Sequence, residues 1–455
     1  MIVYWTDGLF FILVLALIAS IISIRRSTHL RATWRGVFTR PSGMTSGVIL
    51  SFFLIITILD CIHINRPANS SLTDPIVSVL DLTLTPLILN TETTYSAPFA
   101  IISYSKDSIT LNGKATRDFK RLEHAGSHLE SSQKRSTDII QKSLTGITGS
   151  LLFITILLFI FITQFAKKRK FTKKAAWHVL IKKQTEIAWR SGWICFSIIL
   201  LTLGFVIAIA PYYHILGTDK VGEDILYQSL KSIRTGVLIG TLSTLFMLPF
   251  ALLLGMMAGY FRGWVDDVIQ YIYTTLSSIP GVLLIVAAIL IVDIQFADVD
   301  INANDKADLK LLFLCIILGL TSWTGLCRLL RAETLKLREL DYIQAAHAFG
   351  IHHFSILLRH IFPNVMHLVL ISIAIDFSGL VLAEAVLSYI GVGVDPTMNS
   401  WGNMVNGARM EMARDPMVWW TLMAAFFFML TLVLSANFFA DAIRDAFDPK
   451  MRERS

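Results

Sequence analysis

The sequence predicts an all-α, polytopic transmembrane bundle, and three observations carry that expectation. The chain has 455 residues of which 54% are hydrophobic, its mean hydropathy is +0.61, and its apolar residues gather into runs long enough to cross a bilayer. A soluble chain of this length would divide into two or three less apolar domains. A span needs about 20 mostly apolar residues, and such runs occur near 8–24, 48–64, 149–166, 193–213, 235–260, 268–294, 310–328, 366–388 and 418–440. This predicts nine helices, or eight if the sixth run, which contains Pro280, is not one span.

The first run follows MIVYWTD, which has no basic residue, and no small-residue cleavage site comes after it, so it reads as a retained helix. Arg25, Arg26, Arg31, Arg35 and Arg40 follow it directly. The cytoplasmic excess of Lys and Arg places the N-terminus outside and, counting onward, the C-terminus in the cytoplasm. KKRKFTKK at 167–174, then Arg328, Arg331 and Lys336, and the terminal DPKMRERS fall inside, whereas DVDINANDKAD at 298–308 falls outside. Residues 65–148, nearly charge-balanced and rich in Ser and Thr, also fall outside. They are long enough for a small domain or a partly disordered loop and carry no chemical motif. Ser131 within them is expected to face the outer solution.

The formal net charge of +7 belongs to helix ends and has no interleaved aromatics, which argues against nucleic acid. Cys61, Cys195, Cys315 and Cys327 lie in or beside apolar runs without CxxC spacing, so neither a disulfide framework nor a zinc site is implied. The only Gly-Lys pair, Gly113-Lys114, precedes Ala115 and makes no phosphate cradle. No HExxH or GxSxG occurs, and no acid/base pair has recognisable spacing. His347, His352, His353 and His360 have no acidic or Cys partner, which disfavours a metal. The paired WR of TWRGVF (33–38) and AWRSGW (188–193) is too short to establish a repeat.

The polar stretch QAAHAFGIHHFSILLRHIFPNV (344–365) reads as two short helices broken at Gly350. Phe354, Leu357, Leu358 and Ile361 recur at i, i+3, i+4 and i+7 as one apolar stripe, and Pro363 limits continuation and permits a sharp turn into the next span. Such a hairpin can lie on lipid or dock into another protein. Gly236 with Gly240, and Gly255 with Gly259, form two G-x-x-x-G pairs that let helix backbones approach, within the chain or against a partner. Asp376 lies deep in an apolar span, where a carboxylate is costly unless it faces water or a partner.

QAAHAFG followed by RHIFPNV resembles the coupling (EAA) loop of ABC importer permeases, specifically the dipeptide, oligopeptide and nickel branch, whose members resemble EAARALG followed by RHILPNV. His214, Leu216-Gly217-Thr218-Asp219, Gly222, Asp224 and Arg234 resemble the branch's HPLGTDxxGRD segment. Gly259-Tyr260 with Gly263-Trp264-Val265-Asp266 resembles its GYYGGWVD turn. Ser278-Ile279-Pro280, Gly319 through Trp323 with Arg328 and Arg331, Leu382-Ala383-Glu384-Ala385, Gly391-Val392-Gly393, Ser400 through Met404, and Asp441 through Pro449 follow in the expected order.

The resemblance covers roughly 188–455 and is close to the second, C-type permease of those systems. Gln344 replaces the usual Glu, Ile215 the usual Pro, and Tyr271 and Thr274 a common Arg and Asp, as the loss of an i, i+3 charge pair would look. The resemblance implies a type I ABC importer permease core of about six helices in 188–455, with the coupling loop at about 341–365. Residues 1–187, an extension of about three helices, have no counterpart in the short members.

It further implies a non-enzymatic subunit in the bacterial inner membrane that forms half of a pore by alternating access. The partners implied are a second permease, two ATPase subunits that hold ATP and Mg, and an external solute-binding protein; this chain binds no cofactor. Gln344, Ala345, Ala346, His347, Phe349, Gly350 and Pro363 are the expected ATPase-coupling residues, with the apolar stripe holding the second helix against the bundle. Asp376 and Glu384 are expected on the translocation path. Dipeptides, oligopeptides, nickel complexes, glutathione and antimicrobial peptides all remain open as substrates, and a stand-alone channel or secondary carrier is the alternative class.

Overall fold

The computed structural model describes residues 3–66, 75–111, 114–129, 132–182, 185–297 and 302–447. Asp298, Asp300, Gly113, Ser131 and the terminal 448–455 lie outside them. In chain order the helices are α1 (Trp5–Arg26), α2 (Thr28–Thr39) and α3 (Pro41–Cys61), followed by strands β1 (His63–Asn65) and β2 (Ile76–Ser78). Next come α4 (Val79–Thr83), α5 (Thr85–Leu89), β3 (Ile102–Leu111) and β4 (Lys114–Arg121). Then follow α6 (Arg135–Arg169), α7 (Lys173–Ile181), α8 (Trp189–Ile209), α9 (Ile225–Phe261), α10 (Gly263–Ser278), α11 (Gly281–Ala297) and α12 (Ala303–Arg338). The last are α13 (Asp341–Ala348), α14 (His353–Ile356), α15 (Phe362–Ile390), α16 (Trp401–Glu411) and α17 (Trp420–Phe447).

Among the described residues 8 helices are long and apolar enough to cross a membrane, and 9 if α10 and the chain after it count as one bent span. The 87° bend between Gly263–Ser278 and Gly281–Phe296 has a local cause. Pro280 offers no N–H, and Ile279 before it is extended, at φ −87° and ψ 131°, as the residue preceding a proline tends to be. Backbone groups in hydrocarbon must bond within their own segment, which is why helices dominate.

Two compact units divide the chain. One comprises 35–234 and 399–435 with the first three residues. In it α6 and α8 approach backbone to backbone: a Cβ on Gly146 would stand 2.4 Å from the Gly204 carbonyl oxygen. Small residues at such crossings substitute dispersion contacts for a hydrophobic drive that lipid does not supply. The described parts of the polar loop between α3 and α6 hold short helices and two pairs of strands. β1 and β2 pair antiparallel, with His63 opposite Ser78, and β3 and β4 form a hairpin with Leu111 opposite Lys114. The Ser78 hydroxyl accepts from the Asp81 N–H while the Asp81 carboxylate accepts from the Ser78 N–H, a capping box that starts α4.

The other unit comprises 4–34, 235–398 and 436–455. Its core is a layer of apolar side chains from α9, α10, α12, α13 and α15, among them Met247, Tyr273, Trp323, Leu330, Ile343 and Val365. Gly255 and Gly259 lie against the α12 backbone: added Cβ atoms would stand 2.9 Å from the Cys327 oxygen and 2.7 Å from the Arg331 oxygen. On the same helix Gly240 faces the Phe377 ring, at 2.4 Å, and Gly236 is buried. Three of the four glycines singled out by spacing therefore meet other helices of the same chain. α1 joins this unit through Thr6, whose N–H donates to Asp308 at 3.2 Å and whose hydroxyl donates to the same carboxylate.

A Leu at position 259 has no room against Thr334. Gly259→Leu is expected to lower stability by about 1–3 kcal/mol through overpacking, read as a lower melting temperature of the purified protein in detergent and a smaller monodisperse peak.

Candidate functional site

The hairpin after α12 begins with charges that tie three elements together. Arg331 makes a bidentate pair with Asp266 of α10, at 2.5 and 2.7 Å. Two turns later Arg338 donates to the Tyr260 carbonyl at 2.7 Å, and Arg262 pairs with Glu339 at 2.5 Å. One bidentate guanidinium fork holds α12 to α10, and a single ion pair and one backbone acceptor join its end to the end of α9.

α13 follows, and Gln344 shows how it is held. Its side-chain amide donates to the Glu339 carbonyl at 3.2 Å, a bond that a carboxylate could not make because it only accepts. Ile343 and Ala346 are buried, while Gln344, Ala345, His347, Ala348 and Phe349 are exposed. Gly350 has φ +73°. Its N–H bonds to the His347 carbonyl at 3.0 Å and the Ile351 N–H to that of Ala346 at 3.2 Å, a left-handed helix stop. The break expected at Gly350 stands at that residue.

Beyond it the chain departs from expectation in three ways. Of the predicted stripe, Leu357 and Ile361 are buried, but Phe354 is 55% and Leu358 51% exposed, and Ile356 takes their place inside. The cause is a π-helical turn over Leu357–Ile361, whose extra residue rotates the apolar face away from the 3.6-residue register. Pro363 does not turn the chain sharply: α14, the π turn and α15 run on as one helix, His353–Ile390. A widened turn just ahead of a proline relieves the clash of its ring with a preceding carbonyl. Ala346, expected on the docking side, packs inward.

What the hairpin presents outward is an apolar ridge of Phe349, 86% exposed, with Phe354 and Leu358. Beside it opens a cleft of about 310 Å³, lined by Tyr260, Arg338, Glu339, Ile343, Gln344 and His347 among others. His353 Nδ1 sits 2.9 Å from the Tyr260 hydroxyl at its wall. No group of three metal-ligating side chains occurs among the described residues.

The two residues expected on the translocation path are in different settings. Glu384 is buried and accepts from the Ser388 hydroxyl at 2.7 Å, and that hydroxyl also accepts from the Val394 N–H at 3.3 Å. Glu384 thus braces the turn that ends α15. Asp376 is half-buried and makes no hydrogen bond or ion pair among the described residues.

At the other group of loops, in the first unit, sequence reasoning missed a second charged cluster. His214 is buried between two carboxylates, with Nδ1 2.7 Å from Asp224 and Nε2 3.6 Å from Glu92. Burial works against its charge, but the two carboxylates outweigh that and raise its pKa to about 9. Burial likewise pushes Glu92 upward, yet His214 and the N–H groups of Glu123, His124 and Ala125 outweigh it and hold Glu92 near 2. Gly222, at φ +82°, lets the chain come so near Glu92 that a Cβ would stand 1.8 Å from its carbonyl oxygen. The Trp420 indole donates to the Thr218 carbonyl at 3.0 Å, and Tyr104 stands edge-on to Trp420, centroids 4.8 Å apart. The loop between α3 and α6 is thus bonded to segments 211–224 and 417–420. Nothing in the spacing of Glu92 announces this.

A bundle of this composition with a glycine-broken hairpin at one helix end is the architecture of a membrane transport subunit. The profile of binding-protein-dependent transport system inner membrane components matches residues 251–453. The chain is 32% identical over 239 residues, 52% of its length and 73% of the relative's, to the glutathione transport system permease protein GsiD of Pectobacterium atrosepticum. It is 31% identical over 240 residues, 53% of this chain and 71% of the relative, to the oligopeptide transport system permease protein OppC of Haemophilus influenzae. The dipeptide transport system permease protein DppC of Alkalihalophilus pseudofirmus is 29% identical over 239 residues, 52% of this chain and 73% of the relative. The chain belongs to the family of binding-protein-dependent transport system inner membrane components.

The His214 cluster gives a pH signature. His214 has its pKa raised above the unfolded value of about 6.5, so its contribution is complete below that pH and is lost as pH rises through about 9. Glu92, depressed, contributes above about 4.5 and loses its contribution as pH falls toward 2. The melting temperature of the purified protein is expected to decline between pH 7 and 9.5, and Glu92→Gln to flatten that decline while lowering the plateau.

Proposed function

We propose that this chain is the membrane-spanning permease subunit of an ATP-driven importer for peptides or related small solutes. It forms half of the translocation pore, and residues 341–365 receive the work of ATP hydrolysis from partner ATPases. The observation that carries this reading is the hairpin: rigidly pinned at its base by Arg338, Glu339 and Gln344, yet presenting an exposed Phe349 to solvent. A large aromatic held out on a fixed turn is the kind of anchor that fills a pocket in a partner. The relatives' names point to peptides, glutathione being itself a tripeptide.

In this reading residues 188–455 are the permease domain and 1–187 an added part of three spanning helices. ATP and Mg reside in the two ATPase subunits, a second permease supplies the other half of the pore, and an external binding protein delivers the solute. The N-terminus lies outside and the C-terminus in the cytoplasm. Groupings of chain ends support the span count behind that topology, and the Lys and Arg excess its orientation. In the first unit the Phe99 N–H bonds to the His214 carbonyl, a pairing of two outer loops, and the Ala188 N–H to the Phe38 carbonyl, a pairing of two inner ones, both at 2.9 Å. In the second, Thr6 meets Asp308 at one helix end and Tyr260 meets His353 at the other. Counting nine spans with the bent pair as one puts each grouping on one side.

Two variants test the coupling. Gly350→Val forces a β-branched residue into the left-handed region with space around it, and Ala345→Asp adds bulk and charge on the exposed face while leaving the packed Ala346 intact. Both are expected to insert and to pair with the partner permease, while ATPase co-purification and uptake fall at least about tenfold. Normal ATPase recovery with normal uptake in both would sink the assignment. For the topology, Ser127→Cys, in an exposed turn, should react with an impermeant thiol reagent added to intact cells; reaction only after lysis reverses the orientation.

A further inference from the structure

The ionisable side chains of the spans sort into two kinds. Most are satisfied inside the chain. Asp308 is bonded by Thr6, Asp266 by Arg331, Glu384 by Ser388, and Lys231 bridges Asp60 and Asp81, both at 2.7 Å. Asp376 is the exception at mid-depth. It is the central residue of α15, about 21 Å along the axis from either end at ~1.5 Å per residue, in a segment whose hydrocarbon environment is roughly 30 Å thick. There it has no hydrogen bond or ion pair among the described residues. A carboxylate in that position is stable only beside water or a cation.

Its surroundings leave room for one. Asp376 is half-buried at the edge of an exposed face of α15 formed by Ile375, Gly379, Leu382 and Val386, at i, i+4, i+7 and i+11. Gly379, three residues on, has no atom within 4 Å of where a Cβ would stand, so the space next to the carboxylate is open for one turn of helix. On the opposite face Phe377 is locked against Gly240, which fixes the rotation of α15 and keeps Asp376 from turning into the core.

We infer that Asp376 is a cation-recognition group on the solute path, contacting the ammonium group of a passing substrate. The inference rests on the reading of this chain as half of a pore and adds the substrate's charge class to it. The low-dielectric walls strengthen a carboxylate–ammonium contact, and the apolar stripe beside it offers no competing polar partner. The ammonium can be a peptide's N-terminus or a lysine side chain.

The test uses the complete transporter, in cells lacking other peptide uptake, with three labelled tripeptides of equal length: one with a free N-terminus and no lysine, its N-acetylated form, and an N-acetylated form containing lysine. Wild type should import the two ammonium-bearing peptides in preference to the N-acetylated peptide without lysine. Import of only the free N-terminal peptide assigns the ammonium to the terminus, and of both to either source. Asp376→Asn should lose at least about tenfold of that preference and Asp376→Glu should retain it, at equal membrane abundance. Asp376→Cys should react with a cationic thiosulfonate reagent from the aqueous side. An unchanged preference in Asp376→Asn, or an unreactive cysteine, overturns the inference alone. Failure of Asp376→Asn to co-purify with the partner permease assigns the carboxylate to a subunit contact and overturns it as well. If wild type imports none of the three, the peptide reading itself fails and this inference falls with it.

Discussion

The close approach of α9 and α12 at Gly255 and Gly259 is the constraint on which the second unit depends. In lipid, apolar side chains gain little by touching one another instead of acyl chains, so helices are held by backbone proximity, dispersion and a few polar bonds. Gly259 lets α12 come against α9 at Thr334, and the next residue, Tyr260, accepts from Arg338 and meets His353. The hairpin is therefore positioned by the same contact that packs the span. A displacement of α12 along α9 would carry Arg338, Glu339 and α13 with it, because the ion pairs at Asp266 and Glu339 leave no slack between helix end and hairpin.

Charges follow the same economy of position. Burying one partner of an ion pair alone is more destabilising than the pair is stabilising, and two charge clusters of the first unit come as satisfied sets: Lys231 with Asp60 and Asp81, and His214 with Asp224 and Glu92. Each set joins the segment before residue 187 to the segment after it within one unit. Lys231 is on α9 while its two carboxylates are on α3 and α4; His214 and Asp224 flank one loop while Glu92 comes from the chain after α5. Removing residues 1–187 would take both carboxylates from Lys231 and leave His214 with Asp224 alone, so α3, α4 and the segment carrying Glu92 are bonded into this unit and not merely tethered to it.

Much of this was legible in the sequence, and the reasons are physical. Runs of about 20 apolar residues have few alternatives to a membrane span, so the helices fall where the runs are, and Pro280 marks the bent pair. Gly350 was legible because a polar segment with one glycine between two helical patterns has one place to break. The glycine pairs gave the crossing but not the partner, which turned out to be α12 and Phe377 of the same chain. The inward face of the second hairpin helix was misread: periodicity assumes 3.6 residues per turn, and the π turn before Pro363 violates it, exchanging Phe354 and Leu358 for Ile356. The outer loop was read only as a polar stretch. Its strands carry polar residues on both faces and lack the alternation that betrays a half-buried sheet; the Asn112-Gly113 pair, a hairpin signal in the sequence, was the cue available. Glu92 could not be found at all, since its meaning comes entirely from the fold bringing it to His214.

The misread stripe changes how the hairpin acts. With Phe354 and Leu358 inside, the second helix would be a cushion against the bundle and only α13 would face outward. With Ile356, Leu357 and Ile361 inside instead, one continuous helix from His353 to Ile390 carries Phe354 and Leu358 at its exposed base, Asp376 beyond its midpoint and Glu384 near its far end. The helix is then a single rod that runs past Asp376 to the Glu384–Ser388 turn, a distance of about 45 Å from Phe354 to Glu384 at ~1.5 Å per residue. The π turn is the one weakened point on that rod, since its hydrogen bonds are less well formed than those of an α-helix, and it lies next to the hairpin, below the membrane-spanning part. Bending there would redirect the hairpin while the helix beyond it stays straight.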